Sequence, residues 1–337
     1  MTFARQNGKN IRSFSLGGSP LNPSVIIPIM GHVIAIDVGG THLRAAAYSA
    51  KDQVPLKHLR TKSHAPGETV FDRMTALIED VWPGDVDAIG VSSPGPLDSR
   101  TGVVMSTPNI REWQNFPLTA NLMKRFGVPT FLDNDANLAG LAEWKFGAGR
   151  GHHDVLYLTV STGVGGGVII GDRLLQGHHG LAAELGHVIV SVDGPVCGCG
   201  FRGHLEAFSS GTAIERYVAD QLASGRKSAL TGKPSARQIA EAAEQGDELG
   251  REAYARAGEY LGVGVSNYLH IFDPSIVILG GGVSMSGPLL FEPFEASLRK
   301  HVFHPRYLDG LVIAQAELGD DAGLLGAMAL ARLKTQS

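Results

Sequence analysis

HVIAIDVGGTHLRAAAYS, residues 32–49, and DVLYLTVSTGVGGGVIIGD, residues 154–172, share one plan: an apolar run, a glycine turn, and a second apolar run. Runs of this kind, rich in Val, Ile, Leu and Ala and broken by glycines, read as paired β-strands. Helical patterns surround them. ETVFDRMTALIEDVW (68–82) reads as a helix, VDAIGVS (86–92) as a buried strand ending in SPGP, and PTFLDND (129–135) as a strand running into the helix ANLAGLAEWKFG (136–147). After the second hairpin come a long amphipathic helix, ELGREAYARAGEYLGVGVSNYLHIF (248–272), a strand entering a third glycine turn in SIVILGGGVS (275–284), and a closing helix, DDAGLLGAMALARLK (320–334). Strands alternating with helices give an α/β class, and the returning hairpin points to an internal duplication. No linker rich in Pro, Ser or Gly separates the halves, so the expectation is two domains sharing a hinge and a cleft.

The 337 residues are long for one core and suit two domains. With 43% apolar and 18% charged residues, the composition is that of a globular protein. A net charge of -4 offers no broad basic surface, which argues against a nucleic-acid partner. No apolar run reaches the ~20 residues needed to cross a bilayer, so no membrane partner is expected. Residues 1–30 show no periodicity and read as a disordered N-terminal extension. Their VIIPIM patch is too short and too Pro-interrupted for a secretory signal. Met30, directly before GHVIAIDVGGT, is a second candidate translation start. Two cysteines and no export signal point to the cytoplasm.

Three glycine turns stand out: DVGGTHLR (37–44), STGVGGG (161–167) and LGGGVS (279–284). Glycines let backbone N–H groups approach an anion closely, as phosphate sites require. Any one alone is an ordinary turn; three in one chain make a nucleotide site the better reading. None fits GxxxxGK[ST], which excludes a Walker-type loop. The residues placed at the phosphates are Asp37, Gly39, Gly40 and Thr41, then Thr162 and Gly163, then Gly281 and Gly282. Asp37 is positioned to hold Mg²⁺ directly or through water. The only cysteines, Cys197 and Cys199, lie in GPVCGCGFRGHLEAF (194–208). A Cys-x-Cys disulfide is strained, leaving a metal ion or chance as the explanation.

In order, the motifs DVGGT, SPGP, TPN, NDAN, STGVGGG, AELGH, CGCGxxGxxE and LGGGV resemble the ROK family (repressors, open reading frames, kinases) from about Val33 to about Arg332. Within it, the chain most resembles bacterial glucokinases, with N-acylhexosamine kinases close behind. The resemblance implies a two-domain hexokinase/actin/Hsp70-like fold, a duplicated ribonuclease H-like unit with an interdomain cleft. The small domain is then 31–135 with 318–337, and the large one 136–317 with a zinc-binding loop. It further implies ATP-dependent phosphorylation of a hexose, and homo-oligomers (dimers or tetramers) are common in the family. Glucose to glucose 6-phosphate is the leading reaction. N-acetylmannosamine or N-acetylglucosamine phosphorylation is the alternative, and polyphosphate is left open as the donor. A ROK transcriptional regulator is the alternative of another class. The roughly 36 residues before Asp37 show no paired helices, whereas three-helix DNA-binding units need about 60.

Carried over residue by residue, the resemblance makes Asp135 the base that accepts the sugar hydroxyl proton. By residue type alone, Asp135 is equally a helix N-cap. Asn134, Asn109 and Gly95 fall at the sugar, and Glu184, His187 and Glu206 around the hydroxyls of the anomeric end. Carboxylates accept such hydroxyl hydrogen bonds strongly. His187, Cys197 and Cys199 match three ligands of the family's structural zinc site. The fourth, normally Cys, is His204 here, which allows a tetrahedral Cys2His2 site or a degraded site holding no metal.

Overall fold

The computed structural model describes residues 31–107 and 109–336; the expected extension 1–30 lies outside the described residues. In chain order, the first half contains β1 (His32–Val38), β2 (His42–Ser49), β3 (Lys57–Lys62), α1 (Val70–Val81), β4 (Val86–Ser93), the small ladder β5 (Leu97–Asp98) and β6 (Val103–Val104), α2 (Leu118–Phe126) and β7 (Thr130–Asn134). The second half begins with α3 (Asp135–Phe146), β8 (Val155–Val160), β9 (Val164–Ile170) and β10 (Arg173–Leu174), followed by α4 (Glu206–Ser209), α5 (Gly211–Ala223) and α6 (Ala236–Glu244). It closes with α7 (Glu248–Phe272), β11 (Ile276–Gly280), α8 (Pro288–His301), β12 (Val312–Gln315) and α9 (Ala322–Gln336).

Two five-stranded sheets result, ordered β3-β2-β1-β4-β7 and β10-β9-β8-β11-β12. They correspond strand for strand. In each, an antiparallel hairpin occupies one side and two parallel strands follow its first strand. The inner strands β1 and β11 are buried almost throughout, and β11, parallel to both its neighbours, is the kind of strand that must be covered on both faces. The duplication read from the two hairpins is thus present in the topology.

Helices α3 and α9 form the layer between the sheets. One apolar core combines their residues with Val33 and Ala35 of the first sheet and with Val155 and Ile278 of the second. The approach is close. A Cβ on Gly326 of α9 would lie 2.0 Å from the Leu138 carbonyl oxygen of α3, and one on Gly90 of β4 would lie 1.9 Å from the Ala327 carbonyl oxygen. A larger residue at Gly326 would push the two helices apart, and one at Gly90 would push α9 off the first sheet. The chain passes from the first sheet to the second through α3 and returns through α9. Both crossings therefore meet in this layer.

The sequence expectation matches α7 at both ends, where Asp247 caps the helix by accepting from Gly250 N. The structure adds β3 and β12, which the sequence pattern does not mark. KHLRTK alternates exposed and half-buried positions with charges outward, a pattern suited to an edge strand and easily read as a loop.

Candidate active site

Strand β7 ends at Asn134 and α3 begins at Asp135, so the motif DNDAN straddles the first crossing. The capping role left open for Asp135 belongs to its neighbour. Asn134 is the N-cap, its side-chain oxygen accepting from Ala136 N at 2.9 Å, while Asp135 occupies the first helical position. The Asp135 Oδ1 atom also accepts from Ala136 N, at 2.8 Å. Asp135 is exposed to the cleft, although its carboxyl has many protein atoms around it. It is raised to about 6, by burial first, with the Asp37 and Glu184 charges adding and the Ala136 N–H opposing. Behind it, the buried Asp133 accepts from Asn134 N at 2.8 Å, Asn137 Nδ2 at 3.0 Å and Gln176 Nε2, which holds the strand end in place.

A cleft of about 940 Å³ opens between the sheets. Its wall includes Asp37 and Gly39 of the first turn, Thr162 and Gly163 of the second, and Gly281 and Gly282 of the third. Gly95, Asn134, Asp135, Glu184, His187 and Glu206 line it too, so sequence-distant positions meet in one space. Gly281 has φ of +85°, and a Cβ there would sit 2.4 Å from the Val160 carbonyl oxygen. Only glycine closes that turn. Gly40, Thr41 and Asn109 are not on the cleft wall. The Asn109 amide fills the space over Gly40, its Nδ2 lying 2.6 Å from where a Cβ would be. The Thr41 carbonyl accepts from Ser63 N at 2.9 Å.

A second chamber of about 610 Å³ adjoins the cleft and shares Ser161, Thr162, Gly282 and Met285 with it. Residues of α5 and α6, including Glu215, Ala236, Arg237 and Ala240, complete its wall. Nothing in their sequence marks them, because they are ordinary residues of amphipathic helices.

Asp37 is paired with Arg44, whose Nη2 and Nε donate to Oδ2 at 2.7 and 3.0 Å. Arg44 Nη1 also donates to the Asp320 carbonyl. Arg44 closes the motif DVGGTHLR, yet nothing in that motif gives it a role. Its signal was the hairpin itself, since counting back from the glycine turn sets Asp37 opposite Arg44. With Oδ2 so engaged, Asp37 retains Oδ1, which suits a hydrated Mg²⁺ better than direct chelation.

At the other end of the cleft, His187 Nε2 lies 3.9 Å from Glu184 Oε2. Glu206 Oε2 accepts from Val164 N at 3.0 Å and Oε1 accepts from the Cys197 thiol at 3.1 Å. Its carboxylate therefore links the second glycine turn to the cysteine loop. One ligand atom each from His187, Cys197, Cys199 and His204 lies within 4.8 Å of every other. Cys199 Sγ is 3.1 Å from His204 Nδ1, and Cys197 Sγ is 3.8 Å from His187 Nδ1. Tetrahedral zinc sets N and S ligands roughly 3.3–3.8 Å apart, so the donor set fits that ion after slight contraction. Both cysteines are free of disulfide. Burial pushes the Cys197 thiol up to about 12, with the Glu206 carboxylate adding, so a bound cation must displace that proton. Burial and the neighbouring His187 hold His204 below the usual histidine range, which favours the neutral imidazole that ligates. Arg216 braces the loop from outside, donating to the Val196 and Ala207 carbonyls at 2.7 and 2.8 Å.

The sequence profile of the ROK family matches residues 33–334. The chain belongs to the ROK family. Among ROK relatives, the glucokinase of Thermotoga maritima is 39% identical, over 88% of this chain and 96% of that protein. A ROK glucokinase from Streptomyces griseus, solved in complex with glucose and AMPPNP, superposes with a TM-score of 0.74 at 35% identity, covering 90% of this chain and 100% of that one. The family also contains regulators. The xylose repressor of Caldicellulosiruptor bescii is 32% identical, over 89% of this chain and 78% of the repressor. This ROK protein accordingly has the two-sheet, hexokinase-like architecture of the solved members.

Proposed function

We propose that this ROK protein is an ATP-dependent glucokinase that transfers the γ-phosphoryl group to the 6-hydroxyl of glucose. The observation carrying the reading is the position of Asp135, in the first turn of α3 and facing a cleft walled by three glycine turns. Transfer needs a group that accepts the hydroxyl proton as the oxygen attacks the γ-phosphorus in line, and donors that receive the phosphate charge. Asp135 serves the first need and the backbone N–H groups of the turns serve the second. Asn134, Gly95, Glu184, His187 and Glu206 surround the sugar. Asn109 and the Gly40–Thr41 peptide, outside the cleft wall, are proposed to act only when the lobes close. Those lobes are taken as 31–135 with 318–337, and 136–317.

ATP is favoured as donor over polyphosphate because the second chamber has room for a nucleoside beyond the phosphate turns. Mg²⁺, when bound, neutralises charge on the nucleotide phosphates. Asp37 would hold it through water. Zinc, when bound by His187, Cys197, Cys199 and His204, would hold the loop that presents His187 and Glu206. Among the described residues no helix is long and apolar enough to cross a membrane, and work in the cytoplasm is part of the proposal.

The test is ATP turnover with a panel of hexoses. Glucose should give the highest kcat/KM, because hydroxyl-accepting groups left unpaired by a missing hydroxyl cost several orders of magnitude. A higher kcat/KM with N-acetylmannosamine or N-acetylglucosamine would transfer the assignment to an N-acylhexosamine kinase.

A further inference from the structure

Glu143 lies on α3, two turns beyond Asp135, and is fully buried on the cleft wall. Among the described residues it has no ion-pair partner. Its two oxygens are instead taken by backbone N–H groups, Oε2 by Ala148 N at 3.0 Å and Oε1 by Leu318 N at 2.8 Å. A buried carboxylate without a cation is costly unless its acceptors are used, and here they serve two specific places. The first is the end of α3 itself. The second is 175 residues away in sequence, where the chain leaves β12 to return through α9.

The return loop is part of the site. Gly319 and Asp320 line the cleft, and the Asp320 carbonyl accepts from Arg44, the partner of Asp37. A continuous path thus runs from the helix of Asp135 through Glu143, Leu318 N and Asp320 to the Arg44–Asp37 pair. The fold also reserves the space: a Cβ on Gly147 would lie 2.1 Å from Glu143 Oε2.

We propose that Glu143 is a positioning residue for phosphoryl transfer, locking the two interlobe crossings together so that the Arg44–Asp37 pair keeps its place relative to Asp135. The inference rests on the glucokinase reading. It concerns the phosphate end, because Glu143 bonds only Ala148 N and Leu318 N, and the loop beyond Leu318 reaches the Arg44–Asp37 pair and not Glu184, His187 or Glu206.

Two variants test it. Glu143→Gln retains one acceptor and turns an amide N–H toward the other donor. Gly147→Ala leaves Glu143 chemically intact but drives its carboxylate aside. Misplacement of reacting groups by about 1 Å costs on the order of 10²-fold, so both variants should lower kcat about 10- to 100-fold and raise KM for MgATP. The calorimetric Kd for glucose should stay within about twofold, since only the nucleotide side is disturbed. Wild-type kcat and MgATP KM in both variants, with an active parent, would overturn the inference alone. Loss of glucose affinity in step with kcat, or loss of folded protein by thermal melting in both, would also overturn it, since Glu143 then serves the fold. A parent that phosphorylates no hexose would instead remove the functional reading beneath it.

Discussion

The hairpins β1–β2 and β8–β9 have the same backbone plan and different chemistry. The first is self-contained: Asp37 and Arg44 face each other across the register, and their ion pair sits at the mouth of the glycine turn. The second carries no charge in its turn. It borrows one, the Glu206 carboxylate, which accepts from Val164 N and reaches back to Cys197. Duplication supplied two turns for close approach of a ligand, and divergence gave one a built-in ion pair and the other an adjustable partner on a separate loop. In the proposed reading both turns face the phosphates, the first with an ion pair that suits a cation, the second tied through Glu206 to the residues assigned to the sugar. Asp135, at the crossing between the halves, is placed to act on both ligands.

The largest effect is expected at that crossing. Asp135→Asn should lower kcat by about 10²–10⁴-fold while the calorimetric Kd for glucose changes little, because proton acceptance alone is removed. Near-normal turnover would show that the base lies elsewhere. The comparison itself is broken by a pair of variants. Arg44→Ala should raise KM for MgATP about 10- to 100-fold, the cost of a charge-assisted contact, with KM for glucose nearly unchanged. Glu206→Gln should do the reverse. If both variants weaken the same ligand, the division of labour between the hairpins is wrong.

The smallest effect is expected at the loop that lends Glu206. Purified protein should contain about one zinc per chain, His204→Cys should retain it, and His204→Ala should hold it more weakly, with glucose KM rising modestly. Metal analysis of the three proteins checks this. A zinc-free wild type prepared without chelator would reduce the Cys-x-Cys to a remnant.

What was legible in the sequence was local. The hairpins, the glycine turns and the DNDAN junction each occupy a few consecutive residues whose types fix the backbone, so their reading carried into the structure. The two thiols one residue apart left a metal ion or chance open, and the cluster of His187, Cys197, Cys199 and His204 was legible only through the family resemblance; the structure brings the four side chains together. Contacts made across the fold left no such trace. The Glu143–Leu318 bond joins residues whose neighbours look like ordinary helix and loop. The second chamber is built from helix faces whose period is satisfied equally by packing. Asn109 illustrates the opposite case: its motif was plain, yet in this conformation its amide rests on Gly40 away from the cleft wall.

The central claim, that Asp135 is the base and that its surroundings tune it, is tested most directly by the pH dependence of kcat/KM for glucose. A base must be ionised to accept the proton, and burial lifts this carboxyl to about 6. Activity should therefore rise with pH through about 6 and level off above it, and the step should disappear in the residual activity of Asp135→Asn. A profile flat from pH 5 to 8, or an identical step in Asp135→Asn, would contradict the account.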